Sequence, residues 1–162
     1  MDIYDIKKDL ETRNTKHIIL DTDTYNEVDD QFALAYAALH PQINLLSVNA
    51  APFFNERAKS PRDGMEKSYA EIENILNLMN LSGSFPIYKG SDRFLAGERV
   101  PVDSPAARNI IKTARGAEDI VYVVAIGAIT NVASALMLAP EIKDKIAVVW
   151  LGGNSILRDS PE

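Results

Sequence analysis

Four short apolar runs, largely β-branched, recur along the chain at His17 to Leu20, Ile43 to Asn49, Ile120 to Ala125 and Ile146 to Leu151. Runs of this length and character are those of strands buried on both faces, which occur in parallel sheets covered by helices on each side. Stretches with helical spacing lie between them, at Asp29 to Leu39, Gly64 to Met79, Pro105 to Ala114 and Asn131 to Leu138, punctuated by Pro41, Gly83, Gly90 and Pro140. A further short strand is expected near Pro86 to Tyr88. Strands joined through helices imply right-handed crossovers and a doubly wound, mostly parallel α/β sheet with helices on both faces. Ligands of such sheets sit outside the carboxyl ends of the strands. The last run is followed by GGNSILRDSPE with no further helical stretch, so the chain reads as the front part of a longer fold.

The 162 residues, 46% hydrophobic and 25% charged, have globular composition and suffice for one core. Seventeen Lys and Arg against 23 Asp and Glu give a net charge of -6, which excludes a basic face for a nucleic-acid polymer. The absence of cysteine leaves any metal site to oxygen ligands and to His17 and His40. No window approaches the ~18 apolar residues of a membrane span, and the charged first sixteen residues point to a cytoplasmic protein. Residues 1–16 read as a helical extension, with Ile3, Ile6 and Leu10 on one stripe that docks on its own domain or on a second subunit. Residues 17–162 read as a single domain.

The first apolar run ends in DTDTYNEVDDQ, which crowds Asp21, Asp23, Glu27, Asp29 and Asp30 into ten positions at a strand's carboxyl end. Like charges this close raise one another's pKa values unless a cation or substrate hydroxyls sit among them. Helix capping by Asp29 or Asp30 accounts for one or two carboxylates and not for five. An all-oxygen cluster suits Ca²⁺ or Mg²⁺ rather than zinc. It is not an EF-hand, because Asn26 stands where that loop needs Gly and Phe32 where it needs the bidentate Glu. A strand ending in Asp-x-Asp-x-Thr also resembles the haloacid dehalogenase-like phosphohydrolases, an alternative in which Asp21 is the nucleophile and Asp23 the acid. That family's late acidic pair has no counterpart after WLGGN.

Asp21-Thr22-Asp23 at a strand end, followed by a short turn and Asp29-Asp30 at a helix start, resembles the inosine-uridine preferring nucleoside hydrolases. VVAIGAITNVASAL (Val123 to Leu136) resembles that family's strand, glycine turn and Thr-Asn helix start, and VVWLGGN (Val148 to Asn154) its next strand with a Gly-Gly turn. The resemblance covers Lys16 to Asn154 and implies a Rossmann-like α/β fold, apparently truncated. Thr24-Tyr25-Asn26-Glu27 replaces the family's shorter Pro-Gly loop, which marks a divergent branch. Family members are roughly twice this length, and a C-terminal metal-binding Asp and a base-side His have no match here.

The resemblance implies hydrolysis of the N-glycosidic bond of ribonucleosides with a calcium ion. Asp23 and Asp30 would ligate Ca²⁺ with the backbone carbonyl of Ile126, and Asp23 would also take the proton from the attacking water. Asp29 would accept a ribose hydroxyl, and Asp21 would support the metal from behind. A ribose-binding Asn is expected at Asn55, with Asn49 as the other choice, and Leu151 is expected to touch the ribose. A small ribonucleoside is the expected partner, with no nucleic-acid polymer, no membrane, and a homo-oligomeric assembly. The competing class is a non-catalytic calcium-holding or interaction module. Asn131 reads as a helix cap, Trp150 as core, Phe53 and Phe54 as packing, and neither His17 nor His40 as catalytic.

Overall fold

The computed structural model describes residues 2–97 and 99–152. An amino-terminal helix α1 (Ile3–Thr12) precedes β1 (Lys16–Thr22), α2 (Val28–Leu39), β2 (Ile43–Ala50), α3 (Pro61–Leu78) and β3 (Ile87–Lys89). The chain continues with α4 (Pro105–Gly116), β4 (Val121–Ala125), α5 (Thr130–Leu138), a 3₁₀ turn (Pro140–Asp144) and β5 (Ile146–Trp150). The five strands form one sheet in the order β3-β2-β1-β4-β5, with every pairing parallel.

Alternate residues of a strand face opposite ways, and the two faces fill with different helices. Ile19, Val121, Val123 and Ala125 pack with Ala107 and Ile110 of α4 and Val132 and Ala135 of α5. Leu20, Val48 and Ala50 pack on the other face with Leu34 of α2 and Met65, Ile72 and Leu76 of α3. The expected doubly wound α/β sheet is therefore observed, with a core on each face.

The helix starts follow local chemistry. Ser60 and Ser104 accept the backbone N–H of Asp63 and Ala107, each at 3.2 Å, and each is followed by Pro in the first turn. α3 thus begins one turn before the expected Gly64. That glycine is instead interior, where a Cβ would stand 2.1 Å from the Phe53 carbonyl oxygen.

Two expectations of packing are corrected. Ile3 and Leu10 do not pack into their own domain: they are 69% and 55% exposed, with Ile6 half-buried and Asp9 the buried residue of α1. α1 is held by polar contacts, with Tyr122 donating to Asp9 Oδ2 at 2.7 Å and Arg13 bridging Asp9 and Asp119. Trp150 is not core. β5 has no strand on its outer side among the described residues, so Val149 and Trp150 are 52% and 45% exposed. The expected Gly153 and Asn154 positions of the last motif lie outside the described residues.

From β1 the strand order runs outward through β2 to β3, and on the opposite side through β4 to β5. The crevice between the carboxyl ends of β1 and β4 is the topological switch point, where open α/β sheets take their ligands.

Candidate active site at the switch point

β1 ends at Thr22, and the chain turns at once, with Asn26 N–H donating to the Asp23 carbonyl at 2.7 Å, before entering α2. This brings Asp21, Asp23 and Asp30 together with Thr22 and Thr24, all buried. The Thr22 hydroxyl donates to Asp30 Oδ1 at 2.8 Å and lies 3.0 Å from the Thr24 hydroxyl. Asn26 Nδ2 donates to Asp23 Oδ2 at 3.1 Å. Across the crevice, Ile126 N–H donates to the Asp21 carbonyl at 2.9 Å, which anchors the turn after β4 beside β1. Gly127 is required there, because a Cβ would stand 2.6 Å from Asp23 Oδ1. Trp150 Nε1 donates to the Gly127 carbonyl at 3.1 Å and holds the same turn from β5.

Helix capping does not explain the acidic cluster. Glu27 is the cap of α2 and makes no side-chain cap bond, Asp30 is engaged by Thr22, and Asp29 is exposed in the first turn. Burial, the first cause at all three sites, pushes Asp21 and Asp30 up to about 7 and Asp23 up to about 6. Hydrogen bonds from Asn131, Asn26 and Thr22 pull the other way, and neighbouring carboxylates add to the rise. No Lys or Arg among the described residues pairs with any of the three. Buried carboxylates without counter-charge are the electrostatic condition that a bound cation relieves.

One residue that the sequence reading assigned to a helix cap has a different place. Asn131 is fully buried in the first turn of α5, whose cap is Ile129, and it uses all of its hydrogen-bonding capacity. Its Nδ2 donates to Asp21 Oδ2 at 3.0 Å and to the Ala50 carbonyl at 3.3 Å. Its Oδ1 accepts from Ser91 N–H at 2.8 Å and the Ser91 hydroxyl at 2.9 Å. Asn131 thus ties the ends of β1 and β2 to the segment after β3. Gly90 permits this approach, since a Cβ there would stand 2.0 Å from the Ala50 carbonyl oxygen and 2.5 Å from Asn131 Nδ2. The Thr-Asn pair after a glycine turn was the available signal; its long reach across three strands was not.

The remaining candidates separate. Asn55 joins the cluster indirectly, donating to Asn26 Oδ1 at 2.7 Å, while Arg57 donates to the Asn26 carbonyl. Asn49 lies beside Asp21 in the β1–β2 register, fully buried, and its Oδ1 accepts from Asn109 at 3.3 Å. Leu151 continues the ladder onto the Ala125 carbonyl at 3.0 Å, and its side chain is exposed. Phe53 is buried and stacks at 6.3 Å on Tyr25, whereas Phe54 is exposed. His17 sits at the amino end of β1, in a cavity of about 590 Å³ that contains none of the carboxylates. His40 ends α2 against the Tyr36 ring. Asp21, the nucleophile of the phosphohydrolase alternative, is completely buried, with Oδ2 held by Asn131.

The residues present fit a hard cation. Every donor is oxygen, and Asp23 and Asp30 are buried beside one another's charge. Among the described residues no three His, Cys, Asp or Glu side chains gather in ligating geometry, so backbone oxygen and further donors would have to complete the coordination.

Comparison with known proteins agrees with this geometry. The inosine-uridine preferring nucleoside hydrolase model matches residues 18–158. The purine-preferring ribonucleoside hydrolase from Gardnerella vaginalis is 27% identical, with a TM-score of 0.63 over 86% of this chain and 49% of that one. An inosine-guanosine nucleoside hydrolase gives 24% identity and 0.65 over 87% and 48%. The Bacillus anthracis inosine-uridine preferring nucleoside hydrolase gives 21% and 0.61 over 86% and 51%. A search of curated proteins gives no match. The chain spans about half the length of these solved structures. By its matched residues, and by the fold that carries them, the chain belongs to the inosine-uridine preferring nucleoside hydrolase family.

Proposed function

We propose that the protein hydrolyses the N-glycosidic bond of ribonucleosides, with calcium held by Asp23, Asp30 and the Ile126 carbonyl. The observation that carries this is the burial of Asp23 and Asp30 together, without counter-charge, at the switch point of a nucleoside hydrolase fold. Calcium, when bound, supplies the positive charge that makes a neighbouring water acidic and draws in ribose hydroxyls. Asp23 takes the proton of the attacking water on its carboxylate, whose Oδ2 is held in place by Asn26. The water oxygen forms a bond to C1′ of the ribose as the bond from C1′ to the base nitrogen breaks, the bonding pair leaving with the base, which takes up a proton from solvent. The cationic character that develops on the sugar is met by the negative site. Asp29, exposed at the rim, accepts a ribose hydroxyl, and Asn55 acts beside it through its bond to Asn26. Leu151 borders the ribose, and Asn49 with Asp21 supports the floor of the site.

A second reading, a calcium-holding or interaction module without turnover, is favoured by the lack of three gathered ligating side chains among the described residues. Release of reducing sugar from inosine and uridine, measured with calcium present, separates the two. In a protein of the relatives' full length that carries these residues, Asp23→Asn is expected to cost ~10² to 10⁴ in rate. A variant that keeps most of its activity sinks the mechanism, and a full-length protein that binds calcium yet never turns over supports the second reading.

A further inference from the structure

Two loops meet at Asn26, which lies between β1 and α2, while Asn55 and Arg57 lie between β2 and α3. Every polar atom of Asn26 is engaged. Its N–H donates to the Asp23 carbonyl at 2.7 Å and its Nδ2 to Asp23 Oδ2 at 3.1 Å. Its Oδ1 accepts from Asn55 Nδ2 at 2.7 Å, and its carbonyl accepts from Arg57. Asn55 in turn accepts the Arg57 N–H on its own Oδ1 at 3.0 Å. The order of donors is forced. An ionised carboxylate only accepts, so Asn26 must turn Nδ2 to Asp23 and Oδ1 to Asn55, and Asn55 must then turn Oδ1 to a backbone N–H. The relay runs one way, from the Arg57 backbone through two carboxamides to Asp23. Its far end is anchored on α3: the Arg57 carbonyl accepts from Lys67 Nζ at 2.6 Å, and Lys67 pairs at 2.9 Å with Asp63 in that helix's first turn.

The near end of the relay fixes a direction. Asp23 Oδ2 is taken by Asn26, and Oδ1 lies against the turn after β4, since a Cβ on Gly127 would stand 2.6 Å from it. Ile126 belongs to that same turn. We propose that Asn26 is a positioning residue for Asp23, itself set by Asn55 and Arg57 from the other loop, so that Asp23 turns Oδ1 toward the turn of Ile126 and keeps it there. The inference rests on the calcium reading above for what Asp23 holds, and on the relay for what holds Asp23. None of the three relay residues touches the cation in this role. A carboxylate whose outer oxygen is released can turn about its terminal torsion, which is a broad one, and then presents its oxygens to a cation in many orientations instead of one. Partners that orient a metal-binding group in this way change metal affinity by about 10- to 100-fold when they are removed.

The test is a double-mutant cycle read by calcium affinity. Calcium alone is titrated calorimetrically into metal-free residues 1–162 as the parent, Asn26→Ala, Asn55→Ala and the double variant, and the melting temperature of Asn55→Ala is taken in chelator. Asn26→Ala is expected to weaken calcium binding about tenfold or more, and Asn55→Ala about threefold to tenfold. The double variant is expected to bind no more weakly than Asn26→Ala, because Asn55 acts only through Asn26. Asn55 is exposed, so its metal-free melting temperature is expected to stay within about 2 °C of the parent's. Parental affinity in Asn55→Ala overturns the inference and leaves the calcium reading standing. Losses that multiply in the double variant overturn it too, because Asn55 then acts independently of Asn26. Weaker affinity joined to a metal-free melting temperature lower by several degrees assigns Asn55 to holding the fold, which also overturns it. A parent that binds no calcium at millimolar concentration overturns the calcium reading itself, and the inference with it.

Discussion

At the scale of single residues, the site is a set of carboxylates whose charge no Lys or Arg among the described residues neutralises. Asp21 and Asp30 titrate near 7 and Asp23 near 6, each above the usual 3.8 of an aspartate. The folded, metal-free chain therefore binds protons more tightly than the unfolded one. Its extra stability is fully present below about pH 4 and is lost as pH rises through 6 to 7. Thermal melting of the metal-free protein is expected to weaken from pH 5 to pH 8, and a flat profile refutes this account. Millimolar calcium is expected to raise the melting temperature, more at pH 8 than at pH 5, because the carboxylates must be ionised to ligate. Asp30→Ala should abolish that rise; an unchanged melting temperature in the parent counts against the metal site. A different residue carries local stability. Asn131→Ala leaves Asp21 Oδ2 and Ser91 N–H without partners, and each buried orphan costs ~1–3 kcal/mol. A loss of roughly 2–5 kcal/mol in urea unfolding is expected, and a loss below about 0.5 kcal/mol removes Asn131 from its place as the tie between strands.

At the scale of elements, strand identities and the start of α4 were legible because their causes are local, whereas the start of α3 at Pro61 was placed a turn late at Gly64. Ser60-Pro61 and Ser104-Pro105 pair a side-chain acceptor with a residue already set for the first turn, and the apolar runs can be strands and little else. Ser104→Ala should cost about 1 kcal/mol through loss of the bond from Ala107 N–H, measured by chemical denaturation; no loss would show that Pro105 alone sets the start. α1 forms as expected and attaches to its own domain, but through other residues than its apolar stripe. Its apolar spacing is real, but a stripe predicts burial only where a partner surface exists, and here Asp9 and Arg13 make the attachment while Ile3 and Leu10 face solvent. Asp9→Ala is accordingly expected to free α1, visible as faster amide exchange across Ile3–Thr12, with strand protection unchanged. Exchange that stays slow would show that apolar contacts hold the helix after all.

At the scale of the whole molecule, the chain spans about half the length of its solved relatives. Residues 1–162 alone are expected to release negligible sugar from nucleosides with calcium, because two carboxylates and one carbonyl do not by themselves fix the water and exclude solvent. Turnover of ~1 s⁻¹ or above from a monodisperse monomer would refute that expectation. The sequence by itself determined the class of fold and the crowding of acidic residues at the end of its first strand. Periodicity and the spacing of carboxylates are both written residue by residue. It did not determine which carboxylates are buried together or that Asn131 reaches under β1 and β2. Those facts depend on the strand order β3-β2-β1-β4-β5, which sets residues more than a hundred positions apart, such as Asp21 and Asn131, within hydrogen-bonding distance. Contacts at that separation are decided by packing the layers, after local preference has been spent.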